Sequence, residues 1–220
     1  QEYARYLNNF SLFASQNNID HLIVGENDIR FSYPYGLNTE EEKLGTPDYA
    51  SETWSTMLGQ VRKNYLGTIL WACLVNDLPE FTFLDVIDGY YLLQNHSEEA
   101  YDVVSLNQLI QTRLLPFHKN HQKQFYIGLN IPALSQEAMA YTDHSEPLLT
   151  PLSNSDTDLT DLSYQAELYG AFTCSYQTLD WISGVSTRGF NLVLYLTDIS
   201  SSIYGKPAMN EFLNCMYKSK

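Results

Sequence analysis

Residues 51–76 read SETWSTMLGQVRKNYLGTILWACLVN, and this stretch weighs most in the predicted fold. Its apolar positions recur at helical spacing over about six turns, which predicts one long amphipathic helix. These positions are Trp54, Met57, Leu58, Val61, Tyr65, Ile69, Ala72 and Cys73. Gly59 and Gly67 oppose the helix by about 1 kcal/mol each relative to alanine. Small residues kept at such a cost often indicate close packing against a neighbouring element.

Short strand patterns joined by turn residues lie on both sides of this stretch. Gly25-Glu26-Asn27-Asp28 separates two apolar segments and predicts a hairpin near residues 21–33. Asp88-Gly89, the strongest short hairpin signal in the chain, predicts a second hairpin near residues 81–94. Because strands joined by tight turns pair antiparallel, the sequence predicts an α+β fold with a mixed, mostly antiparallel sheet.

The remaining patterns predict helices and strands without an internal repeat. Helices are expected over the first 15 or so residues, residues 95–115, 134–141 and 162–169, and from Pro207 onward. Strands are expected over residues 124–131, 171–176 and 190–197. With 220 residues, the chain is expected to form a single globular domain, residues 1–220.

The charge balance limits the classes of partner. Twelve Lys and Arg against 26 Asp and Glu give a net charge of −14, which repels phosphate backbones and anionic lipid. Nucleic acid is therefore not an expected partner, and the acid-poor segment 113–123 is the one place where an anionic ligand is acceptable. The longest apolar run, residues 69–75, is too short to span a membrane, so no membrane insertion is expected.

The chain termini and the cysteines bear on compartment. The chain begins at Gln1 without a basic, apolar leader, which suggests a processed product or an excised domain. Cys73, Cys174 and Cys215 are an odd, widely spaced set without a CxxC motif. This pattern argues against a disulfide framework and favours a reducing compartment such as the cytoplasm. The alternative is one disulfide bond, between Cys174 and Cys215.

An acidic run near residue 160 resembles a calcium-binding loop. Asp156, Asp158, Thr160 and Glu167 fall where such a loop places its oxygen ligands, so calcium is the one cofactor suggested. Asp161 replaces the usual glycine at the sixth position, which opposes this interpretation. The alternative is an acidic loop in which Asp158 or Thr160 caps the following helix.

Cysteine and histidine residues are the candidate catalytic groups. Cys73 is a potential nucleophile, and His118, His121 and His144 are potential bases or metal ligands, with His96 as a further group. The competing interpretation is a buried structural cysteine and exposed histidines. No nucleophile elbow, phosphate-binding glycine loop or dinucleotide fingerprint occurs.

Two hypotheses of function follow from these observations. The first is a non-enzymatic binding or assembly module with an acidic, Tyr-rich surface, either an inhibitor or immunity-type protein or a structural protein of a virus or filament. Its expected partner is another protein or a second copy of the chain. The alternative is a hydrolase or transferase whose site is assembled from distant His, Cys and Asp residues.

Overall fold

The computed structural model describes residues 2–26, 50–79, 85–95, 102–135, 160–189 and 198–218. Its elements are, in chain order, α1 (Glu2–Gln16), β1 (His21–Glu26), α2 (Ala50–Asn64), β2 (Thr68–Leu74), β3 (Gly89–Asn95), α3 (Val103–Leu109), a π-helical turn (Ile110–Leu114), α4 (Leu115–His121), β4 (Gln124–Asn130), α5 (Leu162–Gln177), β5 (Ile182–Thr187) and α6 (Pro207–Lys218). The chain divides into two compact units, residues 1–92 and 93–220. A single domain therefore stays a prediction.

The described strands form one five-stranded sheet in the order β1-β2-β3-β4-β5. β1 pairs in parallel with β2, starting at His21 and Thr68. β4 pairs in parallel with β5, starting at Phe125 and Ile182. Parallel neighbours need a crossover connection, and helices α2 and α5 lie between the strands of these two pairs. The fold is thus α/β with a parallel sheet, and the predicted α+β fold with a mixed, mostly antiparallel sheet is wrong.

The long helix predicted over residues 51–76 is two elements. Helix α2 ends at Asn64 and strand β2 begins at Thr68, with residues 69–73 of the strand all buried. A strand buried on both faces is continuously apolar, so its residues also satisfy a helical spacing. Gly67 marks the break, because an added Cβ would meet the side chain of Tyr65 and lie 2.9 Å from the carbonyl oxygen of Asp20.

Neither predicted hairpin describes the pairing that the structure shows. In the first, residues 27–33 lie outside the described residues, and β1 pairs with β2 instead. In the second, residues 80–84 lie outside the described residues and residues 85–86 form a short 3₁₀ turn. The Asp88 carboxylate accepts a hydrogen bond from the backbone N–H of Ile69 (2.7 Å) and pairs with Arg62. Asp88-Gly89 therefore leads the chain into β3 beside the start of β2.

Helix α5 continues through the position where a stop was predicted. Gly170 lies inside it, and residues 171–176, predicted to be a strand, are helical. A Cβ on Gly170 would lie 3.3 Å from the Cβ of Glu211 on α6. This glycine therefore allows α5 and α6 to approach closely rather than ending α5.

A disulfide bond joins the same two helices. Cys174 of α5 is bonded to Cys215 of α6, with their Cα atoms 5.0 Å apart. Cys73 is buried on β2 and is not bonded in a disulfide. Disulfides persist mainly in oxidising environments, so the bonded pair removes the argument for a reducing compartment.

The helical segment after β3 begins and ends later than predicted. Asp102 forms a capping box with Ser105 at the start of α3, whereas Asn95, where the helix was predicted to begin, is the last residue of β3. The segment passes through the π-helical turn and Pro116 to His121. Proline lacks the backbone N–H of a regular helix, and the widened turn before Pro116 accommodates that loss.

The helices at both ends and the strand at residues 124–130 agree with the predicted patterns. In α1, Leu7, Ser11 and Ala14 are buried, whereas Tyr6, Phe10 and Phe13 are about half exposed. Among the described helices, none combines the length and the apolar character needed to cross a membrane.

The buried Tyr90 and Tyr176 and the half-buried Tyr3 predict a loss of stability at alkaline pH. Burial raises the pKa of Tyr3 to about 12, helped by Tyr6, and burial raises the pKa of Tyr90 and of Tyr176 as well. Their neutral forms are favoured in the folded state, so the stability that they contribute is fully present below pH 10 and declines as the pH rises above it. The contribution of Tyr3 is lost as the pH rises through about 12. Tyrosinate absorbance and circular dichroism, followed together, should show these rings ionising only as the protein unfolds. Ionisation of all 17 tyrosines near pH 10 in a folded protein would contradict this.

Candidate functional site

The candidate site lies in the unit formed by residues 93–220, at the carboxyl ends of β3, β4 and β5. In parallel α/β sheets, ligands bind outside the carboxyl ends of the strands. The last residue of β3 is Asn95 and the last residue of β4 is Asn130. Two carboxamides thus end two neighbouring strands of the sheet.

Strand alternation tells which face of the sheet carries these amides. Phe125 of β4 contacts Phe117 of α4 and Trp181, with ring centroids 5.7 Å apart in both pairs. Phe125, Ile127 and Leu129 therefore face the helices, and Tyr126, Gly128 and Asn130 occupy the opposite face. A Cβ on Gly184 of β5 would lie 3.2 Å from the Tyr126 ring, so Gly184 is on that opposite face too. We call it the inner face.

Asn95 and Asn130 are joined directly. The Asn130 Nδ2 amide donates to Asn95 Oδ1 over 2.8 Å. Asn130 is only 5% exposed, and its Oδ1 has no hydrogen-bond partner among the described residues. A buried acceptor without a donor costs about 1–3 kcal/mol, so this oxygen suits a hydroxyl or N–H from a bound molecule.

Helix α5 holds the end of β4 in place. The Gln165 amide donates to the carbonyl oxygens of Ile131 (2.8 Å) and Ser200 (3.2 Å). The Tyr169 hydroxyl contacts the carbonyl oxygens of Leu129 (3.2 Å) and Ser201 (3.0 Å). Both side chains are fully buried, so the backbone around Asn130 is fixed by neutral hydrogen bonds.

The loop of residues 198–206 carries a buried ion pair behind this backbone. Lys206 Nζ lies 3.1 Å from Asp198 Oδ2 and donates to the Ser200 carbonyl oxygen over 2.8 Å. Burial lowers the pKa of Lys206, although the attraction of Asp198 opposes this effect. Gly205, with φ of 70°, provides the left-handed turn that precedes Lys206.

On β3, the neighbour of Asn95 faces the helices. Gln94 is fully buried, and its Oε1 accepts a hydrogen bond of 2.8 Å from the hydroxyl of Tyr176 on α5. Adjacent residues of one strand therefore have separate environments: Gln94 packs in the helix layer, and Asn95 lies on the inner face.

Three described carboxylates of this unit are already engaged. Asp102 accepts hydrogen bonds from the backbone and hydroxyl of Ser105, which lower its pKa. Asp161 caps α5 by accepting from the Tyr164 backbone N–H, and Asp198 pairs with Lys206. These groups stabilise local structure.

The predicted catalytic residues that the structure describes lie on two elements, β2 and α4. Cys73 is buried on β2, in the unit of residues 1–92. His118 and His121 are on α4, where the His118 ring stacks on Trp181 and His121 contacts Phe117. His96 and His144 lie outside the described residues. His118 and His121 thus pack against aromatic rings within one unit, and the catalytic role of the predicted residues stays a prediction.

The described part of the predicted calcium loop forms no cluster of ligands. Thr160 pairs with Leu134 in an isolated bridge, and Glu167 is exposed on α5. The cap of α5 is Asp161, not the predicted Asp158 or Thr160. Asp156 and Asp158 lie outside the described residues. Across the described part of the chain, no group of three or more His, Cys, Asp or Glu could hold a metal ion.

The sequence contains a signal for the amide pair at the ends of two strand patterns. The strands GYYLLQN and QFYIGLN each end in asparagine after an apolar run. A polar residue at the carboxyl end of a buried parallel strand is typical of a ligand site. The predicted antiparallel hairpins concealed this pattern, because they did not place the two ends at one edge.

The fold resembles that of carbohydrate-active enzymes with a TIM-barrel-like α/β fold. A GH113 β-mannanase from Alicyclobacillus acidocaldarius has a TM-score of 0.68 and 17% identity, with 99% of this chain and 61% of the mannanase covered. For xylanase 10B from Thermotoga maritima the TM-score is 0.54 at 9% identity, with 98% and 65% covered. A β-glucuronidase from Lactobacillus rhamnosus gives 0.60 at 12%, with 98% and 35% covered.

These similarities show the fold alone, and the chain spans about three fifths of the length of the mannanases. No protein-family profile matches the sequence, and no curated protein is significantly similar to it.

The structural neighbours correct the preferred hypothesis of function. They are glycoside hydrolases, so the prediction of a non-enzymatic assembly module with a protein partner or a second copy is wrong. The composition was misleading because aromatic and uncharged polar residues suit sugar-binding surfaces as well as protein interfaces. The hydrolase alternative agrees better with these neighbours.

Proposed function

We propose that the protein is a glycoside hydrolase acting on β-linked glycans, with its site at the carboxyl ends of β3, β4 and β5. The observation that carries this proposal is the Asn95–Asn130 pair, in which a buried amide oxygen is open to a donor. Barrel enzymes of this architecture place their active sites at the carboxyl ends of the strands. The solved neighbours include a mannanase, a xylanase and a β-glucuronidase.

The amide pair supplies recognition rather than proton transfer. Asn130 Oδ1 accepts a sugar hydroxyl, and the hydrogen bond from Asn130 to Asn95 holds the oxygen in that orientation. Because a site built to bond a hydroxyl rejects analogues that lack it, the pair selects for a correctly placed hydroxyl.

Glycoside hydrolysis further requires two carboxyl groups, one acting as an acid and the other as a base or nucleophile. Since Asp102, Asp161 and Asp198 are engaged, we assign these roles to the acids that follow β3 and β4 in the sequence. Glu98 and Glu99 come shortly after Asn95, and Glu137 comes shortly after Asn130. All three lie outside the described residues, so the assignment rests on chain order.

The neighbouring residues Gln94 and Asn95, together with Asn130, allow a matched test. Asn130→Ala and Asn95→Ala are expected to raise the KM for a cleaved glycan by about tenfold to hundredfold, because the first removes the buried acceptor for the substrate hydroxyl and the second removes the hydrogen bond that orients this acceptor. Gln94→Ala is expected to lower stability with little change in KM, since Gln94 bonds Tyr176 in the helix layer. KM is measured from reducing-end release, and stability from urea unfolding.

Comparing the asparagine variants with Gln94→Ala distinguishes a role in substrate binding from a role in folding. If the two asparagine variants lose stability as Gln94→Ala does and keep the wild-type KM, the pair is structural. The proposed site would then be abandoned.

A further inference from the structure

Arg188 lies at the carboxyl end of β5, next to the Asn95–Asn130 pair. Leu129 of β4 and Thr187 of β5 are partners in the parallel ladder, so Asn130 and Arg188 are the next positions along the two strands. The Arg188 backbone N–H still donates to the Leu129 carbonyl oxygen over 2.8 Å. The pairing therefore continues to Arg188 and places it beside Asn130 at the carboxyl edge.

The side of the sheet follows from alternation along β5. Gly184 lies against Tyr126 on the inner face, and Arg188 is four positions further along, an even number. Arg188 thus shares the inner face with Asn130, and it is half-buried. At the carboxyl ends of β4 and β5, the inner face therefore has a guanidinium group next to an amide oxygen that accepts no hydrogen bond from the described residues.

We propose that Arg188 and Asn130 form a subsite for a sugar that carries a carboxylate, such as a uronic acid. The planar guanidinium forms paired hydrogen bonds with a carboxylate, while the Asn130 oxygen accepts a hydroxyl of the same ring. This subsite deepens the proposed function and rests on it for the assignment of a sugar as ligand.

Because the protein is strongly acidic, an anionic ligand needs a cation inside its binding site. A net charge of −14 repels an anionic ligand at long range, so capture depends on a cation within the site. Lys206 lies in the loop behind this edge, where it holds Asp198 and the Ser200 carbonyl oxygen. Arg113, Lys119 and Lys123, where the sequence made an anionic ligand acceptable, lie before β4, the first two in the helical segment and Lys123 in the connection to the strand, and not at the carboxyl ends of the strands.

Two ligands that differ only in the carboxylate test the subsite. Binding of methyl β-D-glucuronide and methyl β-D-glucoside is measured by calorimetry for the wild type and for Arg188→Gln, Arg188→Lys and Arg113→Gln. The wild type is expected to bind the glucuronide about tenfold or more tightly than the glucoside. Arg188→Gln should remove this preference and leave glucoside binding within about twofold, while Arg188→Lys keeps part of it. Arg113→Gln, with the same change in charge, should leave both affinities unchanged.

The outcomes separate this inference from the proposed function. Equal affinity of the wild type for both ligands, or equal weakening of both by Arg188→Gln, overturns the carboxylate subsite, and cleavage of neutral glycans would still support the hydrolase. Binding of the glucuronide through Arg188 without cleavage of any glycoside supports the subsite and contradicts the hydrolase. Binding of neither ligand, in a protein that also cleaves no glycan, contradicts both.

Discussion

Replacing Lys206 with methionine is expected to lower the free energy of unfolding by about 3–5 kcal/mol, because it leaves a buried carboxylate without its cation. Lys206 and Asp198 are 6% and 2% exposed, and their charged atoms are 3.1 Å apart. Water therefore cannot replace the lost ammonium. Urea denaturation of the variant, monitored by circular dichroism, measures the loss.

Two further variants show whether the loss comes from the pair. Lys119→Met removes a charge from an exposed position on α4 and should change stability by less than about 0.5 kcal/mol. The double variant Asp198→Asn with Lys206→Met should be more stable than the single Lys206→Met variant, because no charge then stays buried and unpaired. A loss of under about 1 kcal/mol in the single variant would show that the loop of residues 198–206 does not depend on its ion pair.

Removal of the disulfide bond is expected to cause the second large loss of stability. The bond between Cys174 and Cys215 closes a loop with a sequence separation of 41 residues. The chain entropy that such a loop removes from the unfolded state corresponds to about 4 kcal/mol. The double variant Cys174→Ser with Cys215→Ser is therefore expected to unfold at a distinctly lower urea concentration than the wild type.

The reductant provides the control for this prediction. Adding dithiothreitol should bring the wild type close to the double variant and leave the double variant unchanged. Thiol titration of the unfolded wild type should find one free thiol, Cys73, before reduction and three after it. Three free thiols without reductant would contradict the bond, as would equal stability of the two proteins.

Local sequence patterns correctly predicted the elements whose sequence fits only one kind of secondary structure. The terminal helices and the strand at residues 124–130 combine a clear period with clear ends. Residues 69–75 had two interpretations, because an apolar run fits a buried strand as well as one face of a helix. A helix over these residues leaves β1 without its parallel partner, and the turn residues nearby then predict hairpins.

The candidate site could not be predicted from residue types. Histidine and cysteine are the residue types that suggest catalysis, yet His118 and His121 pack against aromatic rings and Cys73 is buried on β2. Asn95, Asn130 and Arg188 are ordinary residues at the ends of strands. Only the parallel register brings them to one edge, and register depends on long-range pairing that local periodicity does not encode.

The most direct test of the proposed function is the release of reducing ends by the purified protein from β-1,4-mannan and β-1,4-xylan, together with cleavage of an aryl β-glucuronide. We expect turnover of at least one of these substrates. Glu137→Gln, and one of the two variants Glu98→Gln and Glu99→Gln, should reduce that turnover by about a hundredfold or more, because each removes one of the two carboxyl groups that hydrolysis requires. Glu167→Gln, at an exposed position on α5, should leave the turnover unchanged. A folded protein that cleaves and binds none of the three substrates would contradict the assignment as a glycoside hydrolase.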